Sequence, residues 1–423
     1  MKRWIAIILA TVIAATLMTG CGKTPDVSDE TPEEESTSDN GKLESGDITL
    51  TVWSGKEDQE LIKTIADKFI AEHKDEANIT IKWSEMQEGE CRSALLGDIL
   101  NGPDVYTTTD GEVRTLAAGG GAAEVINVED VKKNNLESAV EAMTIGGKVY
   151  GYPITADNGY LLYYNKKYFS DSDITNLQNM LDVAAKEGKK VAMDWSSGWY
   201  LYSFFGMTGL SIGLNEDGVT NYCDWNSTDK EINGVDVVKS LMDIAANPGF
   251  ISIAQDDWIE AINAGEVIAV VSGIWDATKI EAAWGENFGA SSLPKYTCAG
   301  KEVQMASFFG YKLIGVNPYS EHVAWAQELA QYISNAENQK LRFEMRGQVP
   351  ANNEAAATPA IKQSVAIQAM LEQSKYSILQ RIGGNYWGAM TNFGKVIVDG
   401  NPQNLELQQI IDNAVAGITD STV

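Results

Sequence analysis

The chain has 423 residues, and 32 Lys and Arg stand against 59 Asp and Glu, a net charge of −27. That excess repels phosphate backbones and anionic lipid head groups, which disfavours nucleic-acid binding by counterion release and electrostatic docking on a membrane. Only two histidines, His73 and His322, exclude a histidine-rich metal centre, while 44% hydrophobic residues, 11 Trp and 16 Tyr suffice for a packed core in two to three units.

Lys2 and Arg3 precede an apolar run from Trp4 to Met18. The run is shorter than the ~20 residues that span a bilayer, so residues 1–20 read as a secretory signal peptide. Leu17-Met18-Thr19-Gly20-Cys21 resembles the bacterial lipobox, with Met18 where Leu is usual. The resemblance implies that Cys21 is lipidated and begins the mature protein. Residues 22–46 are rich in Ser, Thr, Pro, Asp and Glu, two lysines against eight acids. They lack the apolar surface to fold, so residues 21–46 are expected to be a lipidated Cys and a disordered acidic tether reaching ~25–30 Å. Cys91, Cys223 and Cys298 are an odd set, allowing one disulfide within the chain at most.

Ile48, Leu50 and Val52 alternate with Thr49 and Thr51, the period of a strand. Between Lys56 and His73, Leu61, Ile62, Ile65, Ala66, Phe69 and Ile70 share one helical face. Ile79 to Trp83 is a second strand, and strand, helix, strand predicts a parallel βαβ unit. Further strands are expected at 104–106, 148–153, 160–164, 191–194, 266–272 and 313–316. Helices are expected up to Ala118, where three glycines stop the element, and at 177–187, 235–246 and 253–264. The last hundred residues are expected to be mainly helical: 322–334, 336–346, 359–373, 385–399 and 404–418. No repeat of 20–50 residues is present.

Five motifs in this order resemble the extracellular solute-binding proteins of ABC sugar importers, the group that includes maltodextrin-binding protein. They are Val52-Trp53-Ser54-Gly55, Gly102-Pro103-Asp104-Val105, Gly147 to Ile154 followed by Leu162 to Lys166, Ala264 to Ala269 ending in Gly273-Ile274-Trp275, and Gly347-Gln348-Val349-Pro350-Ala351. The resemblance covers nearly all of residues 47–420. It implies an α/β, two-lobe fold of the periplasmic-binding-protein kind (type II-like), with parallel-rich sheets flanked by helices and a ligand cleft at the hinge. Residues 47–156 plus 308–358 would form the N-terminal lobe and 159–305 plus 362–423 the C-terminal lobe. The implied function is that of the substrate-binding component of an ABC transporter. It would capture an oligosaccharide and deliver it to the permease subunits, as a monomer anchored by its lipid to the outer face of the cytoplasmic membrane, with no cofactor, metal or catalysis.

A sugar ring has apolar C–H faces, which flat aromatic side chains cover, and a rim of hydroxyls, which carboxylates, amides and cations bind. Carried over position by position, the resemblance points to Lys56 and Glu57 after the first strand, Asp110, Asp157, and Trp199, Trp275 and Trp387, with Arg381, Asn385 and Tyr386 around the last. The chain departs from the maltodextrin binders at Thr108, at Ser196-Ser197-Gly198 and at Met390-Thr391, where they carry an aromatic, a Glu and an Arg. Maltodextrin is therefore not implied. Trp53, Trp225, Trp258, Trp284 and Trp325 are assigned to packing, and Trp83 and Trp195 are open.

Three rivals remain. Gly209-Leu210-Ser211-Ile212-Gly213 matches a nucleophile elbow, with His322 after it, but a turn rather than a helix follows the Ser. A cell-surface glycoside hydrolase needs two carboxylates across a cleft, and nothing marks a pair. The same fold could hold a non-sugar solute such as a polyamine, which acids and aromatics also suit. Asp171-Ser172-Asp173 and Asn215-Glu216-Asp217-Gly218 lack the distal Glu of a calcium loop.

Overall fold

The computed structural model describes residues 43–254 and 257–421. The expected signal peptide, Cys21 and nearly all of the tether lie outside the described residues.

Strand Asp47–Ser54 buries every second residue, Ile48, Leu50, Val52 and Ser54, as its alternation requires. It pairs in parallel with Asn78–Glu85, Asp47 opposite Asn78 through Ser54 opposite Glu85. Between them a 3-10 turn, Lys56–Asp58, leads into the helix Gln59–Glu72, which buries Leu61, Ile62, Ile65, Ala66 and Phe69 against the sheet. The turn separates Lys56 and Glu57 from the helix proper and leaves them at the carboxyl end of the first strand. Open α/β sheets present ligands at that end of their strands.

The first five-stranded sheet runs Asn78–Glu85, Asp47–Ser54, Val105–Thr109, Lys312–Val316, Tyr152–Thr155. Its first two pairings are parallel and its last two antiparallel. The second five-stranded sheet runs Phe250–Ser252, Lys190–Met193, Val267–Gly273, Tyr160–Asn165, Phe288–Ser291, again two parallel pairings followed by two antiparallel ones. Each sheet has its own core, so the chain forms two lobes. One core gathers Leu50, Phe69, Val105, Leu313 and Trp325; the other gathers Tyr160, Val191, Trp195, Trp225, Val270 and Ile397. Phe308 and Val349 pack in the second core.

Three chain crossings join the sheets, and hydrogen bonds tie them together. Ala156 N–H donates to the Val349 carbonyl (2.8 Å) and Asn158 N–H to the Gly310 carbonyl (3.1 Å). Asp157 accepts from the Val349 amide. Strand Ser307–Phe309 pairs in parallel with Ser377–Leu379 beside them.

Several expected elements are divided. The strand expected over 148–153 breaks at Gly151, whose φ of 96° belongs to glycine, leaving Lys148–Val149 and Tyr152–Thr155. The helix expected over 359–373 breaks at Ser364, which is extended (φ −65°, ψ 121°) and caps Val365–Gln373 by accepting from Ile367 N–H. The last helix begins at Leu407, not Asn404, because Glu406 is still extended. Ser211 precedes an antiparallel hairpin, Ile212–Leu214 with Asn221–Cys223, so no helix follows it and the elbow does not form. Cys91, Cys223 and Cys298 are free thiols.

Candidate functional site

Between the two sheets' carboxyl ends lies a cavity of about 760 Å³. One wall is Gly55, Lys56, Glu57 and Asp58, with a lip of Glu85, Gln87, Glu88 and Gly89. The facing wall is Trp199, Trp258, Ile259, Trp275, Asp276, Lys279 and Ile280. Thr109, Glu112, Asn158, Lys312, Arg346 and Gln380 complete the lining. Indole surfaces thus stand opposite carboxylates and amides.

Trp275 sits in the 3-10 turn Ile274–Asp276 that ends the wholly buried strand Val267–Gly273. Its ring lies on Gly273: a Cβ there would be 2.1 Å from two ring carbons. Trp199 is carried by the short helix Gly198–Leu201, which Ser197 caps by accepting from Trp199 N–H at 3.3 Å. Its indole packs on Phe308 (centroids 5.3 Å apart) and edge-on to Tyr160 (5.7 Å). The Nε1–H groups of Trp199 and Trp275 are buried and have no hydrogen-bond partner among the described residues. A buried donor without an acceptor costs free energy that a ligand hydroxyl can recover.

The opposite wall is fixed by buried charge. Asp58 Oδ2 accepts from Arg342 Nη1 (2.5 Å) and Oδ1 from Arg346 Nε (3.0 Å). Burial alone would raise the Asp58 pKa, but the two guanidinium groups outweigh it and hold the carboxyl below its ordinary range. Arg342 Nη1 also donates to Gln348 Oε1 (2.9 Å), which ties the cleft wall to the third crossing. Lys312 Nζ donates to Glu88 Oε1 (2.9 Å) and lies 5.4 Å from the Trp275 ring centroid.

Of the residues singled out from the sequence, the structure brings Lys56, Glu57, Trp199 and Trp275 together on the cavity. The other six stand elsewhere. Asp157 is wholly buried, and Asp110 is buried with Oδ1 accepting from Tyr311 N–H at 2.9 Å. Burial pushes both carboxyls up to about 6, opposed by the Val349 amide and the Thr155 hydroxyl at Asp157 and by the Tyr311 amide and Arg381 at Asp110. Both serve the crossings rather than the cavity lining. Tyr386 is fully buried and its hydroxyl donates to the Gly198 carbonyl (2.7 Å), so its polar end supports the Trp199 helix from behind. Asn385 donates to the Asp420 carbonyl (2.7 Å). Trp387 is half-buried against the second core, 5.0 Å from Tyr386 and 6.3 Å from Phe308. Arg381 lines a separate, mainly apolar hollow with Phe309, Tyr311 and Met370.

The sequence assigns Trp258 to packing, and it is 2% exposed, yet its edge reaches the cavity. Glu85, Gln87, Glu88, Asp276, Lys279, Lys312 and Arg346 escape the sequence reading. For Glu85 a signal was present: it ends a strand parallel to the first, beside Ser54.

The profile of the bacterial extracellular solute-binding proteins matches residues 64–369. A galactooligosaccharide-binding protein of Bacillus subtilis is 28% identical over 355 residues, 82% of this chain and 82% of its own. A maltooligosaccharide ABC transporter solute-binding lipoprotein of Streptococcus pneumoniae is 24% identical over 384 residues, 87% of this chain and 85% of its own. A protein solved with acarbose superposes with a TM-score of 0.80 at 27% identity, over 89% of this chain and 100% of that one. The chain belongs to the bacterial extracellular solute-binding proteins.

Proposed function

We propose that the chain is the substrate-binding component of an ABC importer, capturing an oligosaccharide in the 760 Å³ cleft and delivering it to membrane permease subunits. The observation that carries this reading is the pairing of a tryptophan wall, Trp199, Trp258 and Trp275, with a wall of Glu57, Glu85 and Gln87. Flat rings cover sugar faces, and acids and amides bind the hydroxyl rim. Trp199, Trp275, Glu57 and Lys56 are the direct contacts in this reading. Asp157 and Asp110 hold the crossings about which the lobes close, and Tyr386 supports Trp199. The lobes are residues 47–156 plus 308–358 and 159–305 plus 362–423, a division the two cores support except at Phe308 and Val349, which pack in the second core. Lipidation at Cys21 would hold the protein, as a monomer, at the outer face of the cytoplasmic membrane.

Isothermal titration calorimetry against galacto-oligosaccharides and malto-oligosaccharides of two to six units tests the reading. Saturable binding of at least one series, with the sugar recovered intact, is the expected result. Binding of none of them, or binding of spermidine in their place, would overturn it.

A further inference from the structure

We propose that Lys312 is a positioning residue for Trp275: the first lobe's sheet carries an ammonium that sets the place of the second lobe's indole in the cleft. Lys312 opens strand Lys312–Val316 and is flanked in register by Thr109 and Thr155. Its side chain is 13% exposed. Glu88 Oε1 holds the ammonium at 2.9 Å, and the Trp275 ring centroid lies 5.4 Å away. The position of the charge is therefore fixed within the first lobe, while the ring it faces follows a strand of the second sheet.

Trp275 packs partly against the second core, and that apolar contact leaves the polar edge of the indole without a restraint. Its N–H makes no hydrogen bond among the described residues, so nothing polar on the indole fixes its rotation. Gly273 leaves room beneath the ring but, having no side chain, does not grip it. An ammonium facing an aromatic ring is drawn to its electron-rich face, more strongly when both are out of water. The charge persists there. Burial alone would favour the neutral amine, but Glu88, Asp58 and Asp157 together outweigh it and keep the group protonated. The consequence for sugar affinity rests on the oligosaccharide reading above; the contact itself does not.

The test uses Lys312→Met, which keeps the stem and removes the charge, and Lys312→Arg, which keeps the charge. Nitrogen-15 indole spectra of the full chain, with the Trp275 signal assigned by Trp275→Phe, are recorded without sugar. Lys312→Met is expected to move the Trp275 signal, and Lys312→Arg to leave it near its place. An unmoved signal in Lys312→Met overturns the proposal whether or not any sugar binds. Affinity is then measured for the oligosaccharide that binds the parent protein most tightly. Lys312→Met should weaken it about tenfold in the parent, but less than about twofold in a Trp275→Leu background. An equal loss in both backgrounds would make Lys312 a direct ligand contact and overturn the positioning role. If no oligosaccharide binds, the spectra still decide, and only the oligosaccharide reading falls. If Lys312→Met does not fold, pairing it with Glu88→Gln removes the carboxylate left alone, and the same spectra apply.

Discussion

The indole of Trp275 rests on the bare α-carbon of Gly273, so closely that a methyl group at position 273 would sit 2.1 Å from two ring carbons and 2.4 Å from a third. The backbone there is ordinary (φ −68°). The glycine is required by the ring, not by the chain's own conformation.

Gly273→Ala should therefore displace the Trp275 ring while the strand stays intact. The expected outcome is a loss of oligosaccharide affinity of about ten- to a hundredfold, comparable to removing the ring itself, at about 1.4 kcal/mol per decade. Calorimetry on Gly273→Ala and Trp275→Ala measures both. Unchanged affinity in Gly273→Ala would show that the ring's present place is not the one that binds.

Trp199→Ala and Trp275→Ala separate stacking from packing. Both rings are half-buried at the cavity, and stacking on a flat ligand face contributes on the order of 1–3 kcal/mol by analogy with base–aromatic stacking. Affinity should fall about ten- to a hundredfold with only a small loss of thermal midpoint. Trp225, wholly buried and stacked on Phe205 at 3.9 Å, provides the contrast. Trp225→Ala should cost ~3–5 kcal/mol of stability, and its effect on binding should follow from that alone. A large stability loss with unchanged affinity at Trp275 would assign it to the core instead.

The Asp58 cluster sets a third expectation. Arg342 is 2% exposed and Asp58 5%. Arg342→Met leaves Asp58 buried with Arg346 as its remaining guanidinium, and breaking a buried pair from one side costs ~3–5 kcal/mol. Asp58→Asn combined with Arg342→Met removes both charges and should recover part of that loss. Urea unfolding of the two variants checks it, and a single-variant cost under about 1 kcal/mol would contradict the assigned role.

What the sequence displays and what it hides follow from contact distance along the chain. The strand at 47–54 and the helix face from Leu61 to Phe69 are legible because their periods are local. Trp275 is legible because a buried strand and a glycine precede it directly. The helix Glu88–Gly97 is not: it buries only Cys91 and Leu95, and its lip of acids reads as solvated surface. Lys312 meets Glu88 across 224 residues, and Asp157 meets the Val349 amide across 192, so neither partnership leaves a local trace. Trp258 misleads in another way, since a ring packed in the core can still present one edge to a cavity.

Asp157 yields the last prediction, a pH dependence with a definite sign. Its carboxyl is wholly buried and pushed from 3.8 up to about 6 by that burial, in spite of Lys312 and Arg342, the cations that act on it; Tyr163 is the other titratable group it influences. An acid whose folded pKa is raised binds its proton more tightly in the native chain than in the unfolded one. Native and unfolded states are equally protonated below pH ~4. Between there and pH ~6 the unfolded chain has released a proton that the native chain keeps, so stability falls as pH rises. Above that window the loss levels off at about 3 kcal/mol, because each tenfold difference in proton affinity between the two states is worth about 1.36 kcal/mol. Asp110, also held at about 6, adds a fall of the same sign over the same window. Asp58, whose carboxyl is held low, contributes a rise instead, and only below the ordinary carboxylate range. Asp157→Asn keeps an oxygen to accept from Val349 N–H and has no proton to release, so it should remove its own share of the fall as pH rises from 4 to 7 and leave the shares of Asp110, Glu112 and Asp276, whose carboxyls burial also raises. Unfolding free energies of the parent and variant at half-unit pH steps measure the difference. Parallel curves across that window would mean that the carboxyl at the crossing does not titrate there.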